Sequence, residues 1–159
     1  ATKILIYFDP NLKSAEEKSN LVKKVIEQSH KTELPIFLVI ISEDTQNYER
    51  VIDSVDYFLK RSVIPDVFVL EFPGSDYMCR KVSNSLGAVP WVMISGGADY
   101  VLFKEQLKIA AENGCRGFVI GRSLWQEYFD IAEPERKQHF LEFTLPLRFE
   151  EIKEIMKKS

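Results

Sequence analysis

Apolar residues recur along this chain in two rhythms, and their alternation predicts an architecture. Short runs dense in Ile, Leu, Val and Phe stand at 3–8, 35–41, 67–72, 89–94 and 117–120. Between them apolar positions return every three or four residues, the spacing of one helical face. Leu21, Val22, Val25 and Ile26 form one such stripe; Val51, Ile52, Val55, Phe58 and Leu59 form the next; Phe103, Leu107, Ala110 and Ala111 form a later one. A nearly continuous apolar run such as Ile36-Phe37-Leu38-Val39-Ile40-Ile41 is what a parallel strand covered on both faces looks like. The punctuation agrees. Ser14 with Glu17 reads as a capping box, Pro73-Gly74 stops a strand before a helix that Ser75 caps and that runs to Leu86, and Asp99 reads as a further helix cap. Asn113-Gly114 suits a helix C-terminus.

Five β-α units result, repeating at roughly 25–33 residues, the size of a βαβ module. They predict a parallel sheet in an α/β protein with right-handed crossovers. Two architectures accommodate them. One is part of an eight-stranded (βα)8 barrel, whose full form takes ~250 residues; the other is a flavodoxin-like open sheet. Residues 1–159 read as a single α/β domain in which 133–159 form a helical tail. In that tail Glu133-Pro134 starts a helix towards Phe143, Leu145-Pro146 is expected to break it, and 148–158 read as a last exposed helix.

Composition narrows the function classes. A charged fraction of 28% with a net charge of -3 makes no electrostatic case for nucleic acid or an anionic membrane surface. No apolar run approaches the ~20 residues of a membrane helix, and the chain opens directly on a strand rather than a signal peptide. Cys79 and Cys115 have no CxxC spacing and read as buried free thiols of a reducing compartment, so the cytoplasm is expected. His30 and His139 are isolated, no metal-ligand spacing occurs, and no cofactor is expected. Trp125, Tyr128 and Phe129 read as core or interface residues.

The chemistry-bearing residues lie after the fourth and fifth strands. Ser95-Gly96-Gly97 and Gly121-Arg122 are successive strand-to-helix turns of small residues, which let backbone amides approach a ligand and open on positive helix ends. Arg122 adds a forked, permanent cation suited to phosphate oxygens. Two such turns, one unit apart, form the usual phosphate site of (βα)8 enzymes. The expected ligand group is a phosphate held by Ser95, Gly96, Gly97, Gly121 and Arg122.

The strings Val89-Pro90-Trp91-Val92-Met93-Ile94-Ser95-Gly96-Gly97 and Gly117-Phe118-Val119-Ile120-Gly121-Arg122-Ser123-Leu124-Trp125, with Ala110-Ala111-Glu112-Asn113-Gly114 between them, resemble the class I tagatose-1,6-bisphosphate aldolase family, which includes sulfosugar-phosphate aldolases. Residues 3–9, 34–38 and 66–73 resemble the family's fourth, fifth and sixth strands, so the resemblance implies the C-terminal part (strands 4–8) of its barrel. It also implies a lyase of carbohydrate metabolism. Two departures qualify that implication. The family's Schiff-base lysine precedes a glutamate-apolar-proline run by two positions; the run here is Glu71-Phe72-Pro73, and the lysine position is Val69. The family's fifth-strand glutamate falls at Val39. Class I cleavage needs an amine nucleophile, and valine has none. Lys3, on the first strand, is the remaining catalytic candidate, with a solvated lysine or one paired with Glu71 as the other reading. The expected function is therefore a sugar-phosphate-binding domain lacking Schiff-base chemistry. The alternatives are an aldolase completed by a missing N-terminal barrel half or partner chain, and a non-enzymatic sensor or interaction module, for which a homo-oligomer would pair the open sheet edges.

Overall fold

The computed structural model describes residues 1–42 and 48–157. Five strands, β1 (Thr2–Phe8), β2 (Ile36–Ser42), β3 (Val67–Leu70), β4 (Trp91–Ile94) and β5 (Phe118–Val119), form one parallel sheet in the order β1-β2-β3-β4-β5. Between them run α1 (Ala15–Lys31), α2 (Glu49–Lys60), α3 (Asp76–Leu86) and α4 (Tyr100–Glu112). After β5 come the single turn α5 (Arg122–Trp125), a 3-10 turn (Gln126–Asp130), α6 (Pro134–His139), a π turn (Phe140–Thr144) and α7 (Leu145–Lys157).

Chain-order adjacency decides between the two expected architectures. A flavodoxin-like sheet reverses direction, in the order 2-1-3-4-5, and so takes helices on both faces. Here every crossover steps the same way, and right-handed crossovers then put every helix on one side. The flavodoxin-like alternative is overturned; the sheet is a segment of a (βα)8 barrel.

Burial follows this one-sidedness. Ile6, Phe8, Leu38, Phe68, Trp91 and Met93 point to the helices and join Val22, Val55, Phe58, Val82, Phe103 and Leu107 in one buried cluster. The alternate positions face the other way. Along that concave face the register aligns Leu5, Val39, Val69 and Val92 in one layer, with Tyr7 beside Ile41 and Ile94 beside Val119 nearer the strands' C-terminal ends. Val39 and Val69 are buried, but Leu5 is 46% and Tyr7 60% exposed, so the apolar face is uncovered towards its edges.

Several local expectations hold and three fail. Ser75 Oγ accepts from Met78 N and Asp99 Oδ1 from Leu102 N, so both caps form. Ser14 stands at the start of α1 but makes no side-chain cap bond. Its backbone is already helical (φ -77°, ψ -7°), whereas a capping hydroxyl reaches the first amides from an extended residue. The capping box is therefore absent. Nor does Leu145-Pro146 break the tail: the helix passes from α6 to α7 through the π turn just before the proline, where a widened turn accommodates the missing N–H. The last helix is not wholly exposed either, since Ile152 is fully buried against the core cluster. Among the described residues no helix is long and apolar enough to cross a membrane.

Two polar pins set the register of the sheet. Ser83 Oγ accepts from Trp91 Nε1 (2.9 Å) and donates to Asn113 O (2.6 Å), joining α3, β4 and the end of α4. Gly114 follows at φ +96°, where an added Cβ would stand 2.5 Å from that Oγ; only glycine fits. At the same N-terminal end of the strands, between β2 and β3, Asp66 Oδ2 accepts the N–H of Ile36 (2.8 Å) and lies 3.0 Å from His30 Nε2. The Ile36 amide, then His30, hold the Asp66 carboxyl below its ordinary value. A lowered folded value means stabilisation present above the unfolded pKa of about 3.9 and lost as pH falls through the folded value. Asp66→Asn is expected to lower stability at about pH 7 by about half a kcal/mol, because the pair is exposed. The difference should be smaller at about pH 3, as protonation of the carboxyl begins to remove it. Urea unfolding at both pH values checks this, and an equal loss at both would contradict it.

Candidate functional site

The two glycine turns meet because β4 and β5 are neighbours. Ser95 N donates to Val119 O (3.1 Å), which locks the end of β4 to β5 immediately before both turns begin. Ser95, Gly96, Gly97, Gly121 and Arg122 then line a single open cavity at the C-terminal ends of the strands, with Ser123, Glu71, Tyr7, Ile41, Ile94 and Val119 around it. The five residues expected to act together are therefore brought together.

The first turn needs its glycines. Gly96 and Gly97 have φ of +57° and +90°, and a Cβ on Gly96 would stand 3.1 Å from Glu71 Oε1. Ala98 N returns to Ser95 O (2.9 Å), closing the turn ahead of α4. In the second turn Leu124 N returns to Gly121 O (3.0 Å). Among the described residues the amide nitrogens of Gly96, Gly97, Gly121, Arg122 and Ser123 donate to no protein acceptor. The Ser123 hydroxyl is also unpartnered although its residue is only 1% exposed. Buried polar groups are normally hydrogen-bonded, so this buried hydroxyl, on a residue that lines the cavity, is a donor without an acceptor. Arg122 is exposed, and its guanidinium has no partner among the described residues.

Glu71 supplies the opposite charge. Its Oε2 accepts Ser42 N–H (2.8 Å), and burial pushes its carboxyl up, the Ser42 amide partly offsetting this. It does not pair with Lys3. Lys3 is exposed at the other end of β1, four residues before Tyr7, which is roughly 13 Å along a strand. It does not line the cavity. Val39 and Val69 are direct cross-strand partners in the layer below the cavity and are 2% and 1% exposed. Cys79 and Cys115 are buried, free and raised by desolvation to about 12 and about 11, which keeps them protonated and unreactive near neutrality. His30 is engaged by Asp66, and the His139 ring lies 5.0 Å from that of Phe143.

Ser123 and Glu71 were the site residues hidden from sequence reasoning. Ser123 looked like part of the helix start; only its missing partner distinguishes it. Glu71 was visible as part of a motif, but its proximity to Gly96 depends on a contact between β3 and the turn after β4.

No protein-family model matches the chain. Tagatose 1,6-diphosphate aldolase 1 of Enterococcus faecalis is 24% identical over 195 aligned positions, covering all of this chain and 60% of the relative. Tagatose 1,6-diphosphate aldolase 2 of Streptococcus agalactiae is 22% identical over 197 positions, with the same coverage. The chain thus spans about 60% of the length of the curated relatives it matches. Among solved structures, an archaeal fructose 1,6-bisphosphate aldolase superposes with a TM-score of 0.66 at 20% identity, over 79% of this chain and 51% of that one. A fructose-bisphosphate aldolase from Slackia heliotrinireducens gives 0.65 at 13% identity, over 95% and 52%. The resemblance to class I ketose-bisphosphate aldolases holds in both sequence and fold, and the part resembled is about half a barrel.

The raised Glu71 carboxyl has a consequence for stability. A carboxyl whose folded pKa is raised penalises the fold above that pKa, and the penalty fades as pH falls through it. Glu71→Gln keeps an acceptor for Ser42 N–H and removes the charge. It is expected to stabilise the protein at about pH 8 by at most about 1 kcal/mol, since the cavity's open side screens the charge. The gain should shrink steadily in unfolding measurements taken towards about pH 4. A gain independent of pH would contradict the burial account.

Proposed function

We propose that this chain binds the phosphate of a sugar phosphate between the turns at 95–97 and 121–123, without forming a Schiff base. The observation that carries the reading is the gathering of unpartnered donors around one cavity: five amides and the free Arg122 guanidinium, with the buried, unpartnered Ser123 hydroxyl beside them. A phosphate dianion accepts several hydrogen bonds at once, and charge-assisted bonds from Arg are the strongest available to it. Glu71 opposes a second anion close by but accepts well from hydroxyl groups, which favours a polyhydroxylated ligand over an acidic one. The relatives' names point to ketose bisphosphates as the ligand class.

The valine pair supports binding without turnover. C–C cleavage by the class I route requires an amine that becomes a protonated imine. The layer below the phosphate cavity presents Leu5, Val39, Val69 and Val92, none of which is a nucleophile. Lys3 lies too far along β1 for its amine to share a small ligand with Arg122.

A second reading is favoured by the concave face. Leu5, Tyr7 and Val119 expose an apolar surface beside unpaired edges of β1 and β5. Three further β-α units, contributed in the same polypeptide or by another chain, would cover that face and close an eight-stranded barrel. Such a complement could carry its own catalytic groups over the retained phosphate site.

Calorimetric titration with ribose 5-phosphate and with ribose tests the first reading. Binding is expected for the phosphate ester only, and Arg122→Met should weaken it by about 10- to 100-fold, the worth of one or more charge-assisted bonds. Affinity that survives Arg122→Met would contradict the site. Borohydride reduction in the presence of a ketose phosphate is expected to leave no adduct; a reduced adduct on Lys3 would contradict the absence of Schiff-base chemistry.

A further inference from the structure

We infer that Arg148, on α7, is the positioning residue that holds the two phosphate-site turns at their working separation. The inference rests on the phosphate reading above, but its observations come from a different part of the molecule. Arg148 lies outside the cavity lining. Its Nη1 donates to Leu124 O (3.0 Å) and to Glu127 Oε2, and its Nη2 donates to Glu127 Oε1 (3.0 Å). These partners belong to α5 and the 3-10 turn, immediately after Gly121 and Arg122. The same guanidinium lies 4.4 Å from the ring centroid of Tyr100, the first residue of α4, three positions after Gly97. One planar group therefore touches the helices that follow both turns.

The neighbours fix that group in place. The Tyr100 hydroxyl donates to Glu151 Oε2 and has the Arg148 carbonyl oxygen 3.2 Å away; Lys104 Nζ reaches the same Glu151 oxygen at 2.9 Å. Phe140 stacks at 5.3 Å from the guanidinium, whose side chain is 17% exposed. Such a semi-buried, bidentate, doubly stacked arginine is worth far more than a surface pair.

The second turn has need of an outside anchor. α5 is four residues long, and one helical turn has little stability of its own. Its final carbonyls lack helical partners, and Arg148 supplies the donor for that of Leu124. Without this tether Ser123 and the amides of 121–123 are free to drift from the turn at 95–97. Lysine could hold the carbonyl or the carboxylate but not both in one plane.

Inorganic phosphate binding to the wild-type chain, Arg122→Met, Arg148→Met and the double variant tests this, with amide hydrogen exchange recorded on each without phosphate. Arg148→Met is expected to weaken phosphate binding about tenfold while the protein remains folded by circular dichroism. In the Arg122→Met background the same change should cost less than it does in the wild type, because one of the groups that Arg148 positions is already gone. Exchange should rise together at the bonded amides that follow the two turns, Ala98 and Leu102 after the first and Leu124 and Gln126 after the second, with the sheet still protected. Glu127→Gln, which keeps the bond to Leu124 O, should fall between wild type and Arg148→Met and serves if the latter unfolds. Unchanged affinity in folded Arg148→Met, or the same loss in both backgrounds, would overturn the inference. If the wild type ignores phosphate while both turns still loosen together in Arg148→Met, the positioning role stands and the phosphate reading falls.

Discussion

Everything in this molecule depends on strands that pair in the order in which they are made. Because β1 to β5 are parallel neighbours in sequence order, their C-terminal ends lie at one end of the sheet and their helices on one face. The bond from Ser95 N to Val119 O is the local expression of that rule. It places two glycine turns, 24 residues apart in sequence between Gly97 and Gly121, around one cavity. The sheet register brings the two turns together, and the Arg148 contacts to Leu124 O and Glu127 then brace the second of them.

The same rule leaves the other face of the sheet uncovered. A β-α segment of a barrel buries its helix-side residues fully, as Phe8, Phe68 and Met93 are, but its concave residues are buried only where neighbouring strands crowd them. Val39 and Val69, on the central strands, meet that condition; Leu5 and Tyr7, on the edge strand, do not. Two β-branched residues packed directly opposite one another favour a sheet, and a lysine or glutamate at either position would need a partner to offset its burial. This layer is thus given to packing, while the donors above it remain unpaired.

Much of this was legible in the sequence, for identifiable reasons. Strand and helix positions follow from local periodicity, and the two turns from glycines at strand ends, so both could be read along the chain. Ser75 and Asp99 capped their helices as expected, whereas Ser14 did not, because the turn preceding it already carries its backbone into helical geometry. Pro146 did not stop its helix because a π turn upstream absorbed it. Strand order was not legible: the barrel-like and flavodoxin-like sheets have the same element sequence and differ only in which edge β2 takes. Lys3 looked plausible on a strand diagram, yet its distance from the cavity is set by which end of β1 it occupies. Arg148 and Glu71 were invisible as site residues for a related reason. Each acts across contacts between elements far apart in the chain, the first from α7 to α4 and α5, the second from β3 to β2 and Gly96.

The most direct test of the account is a titration of the isotopically labelled protein with inorganic phosphate, followed through its backbone amide resonances. The account predicts that the amides of Gly96, Gly97, Gly121, Arg122 and Ser123 shift together with a single saturable affinity, while those of the concave layer around Val39 and Val69 stay still. Phosphate that moves none of the five amides, or moves them without saturation, would contradict it.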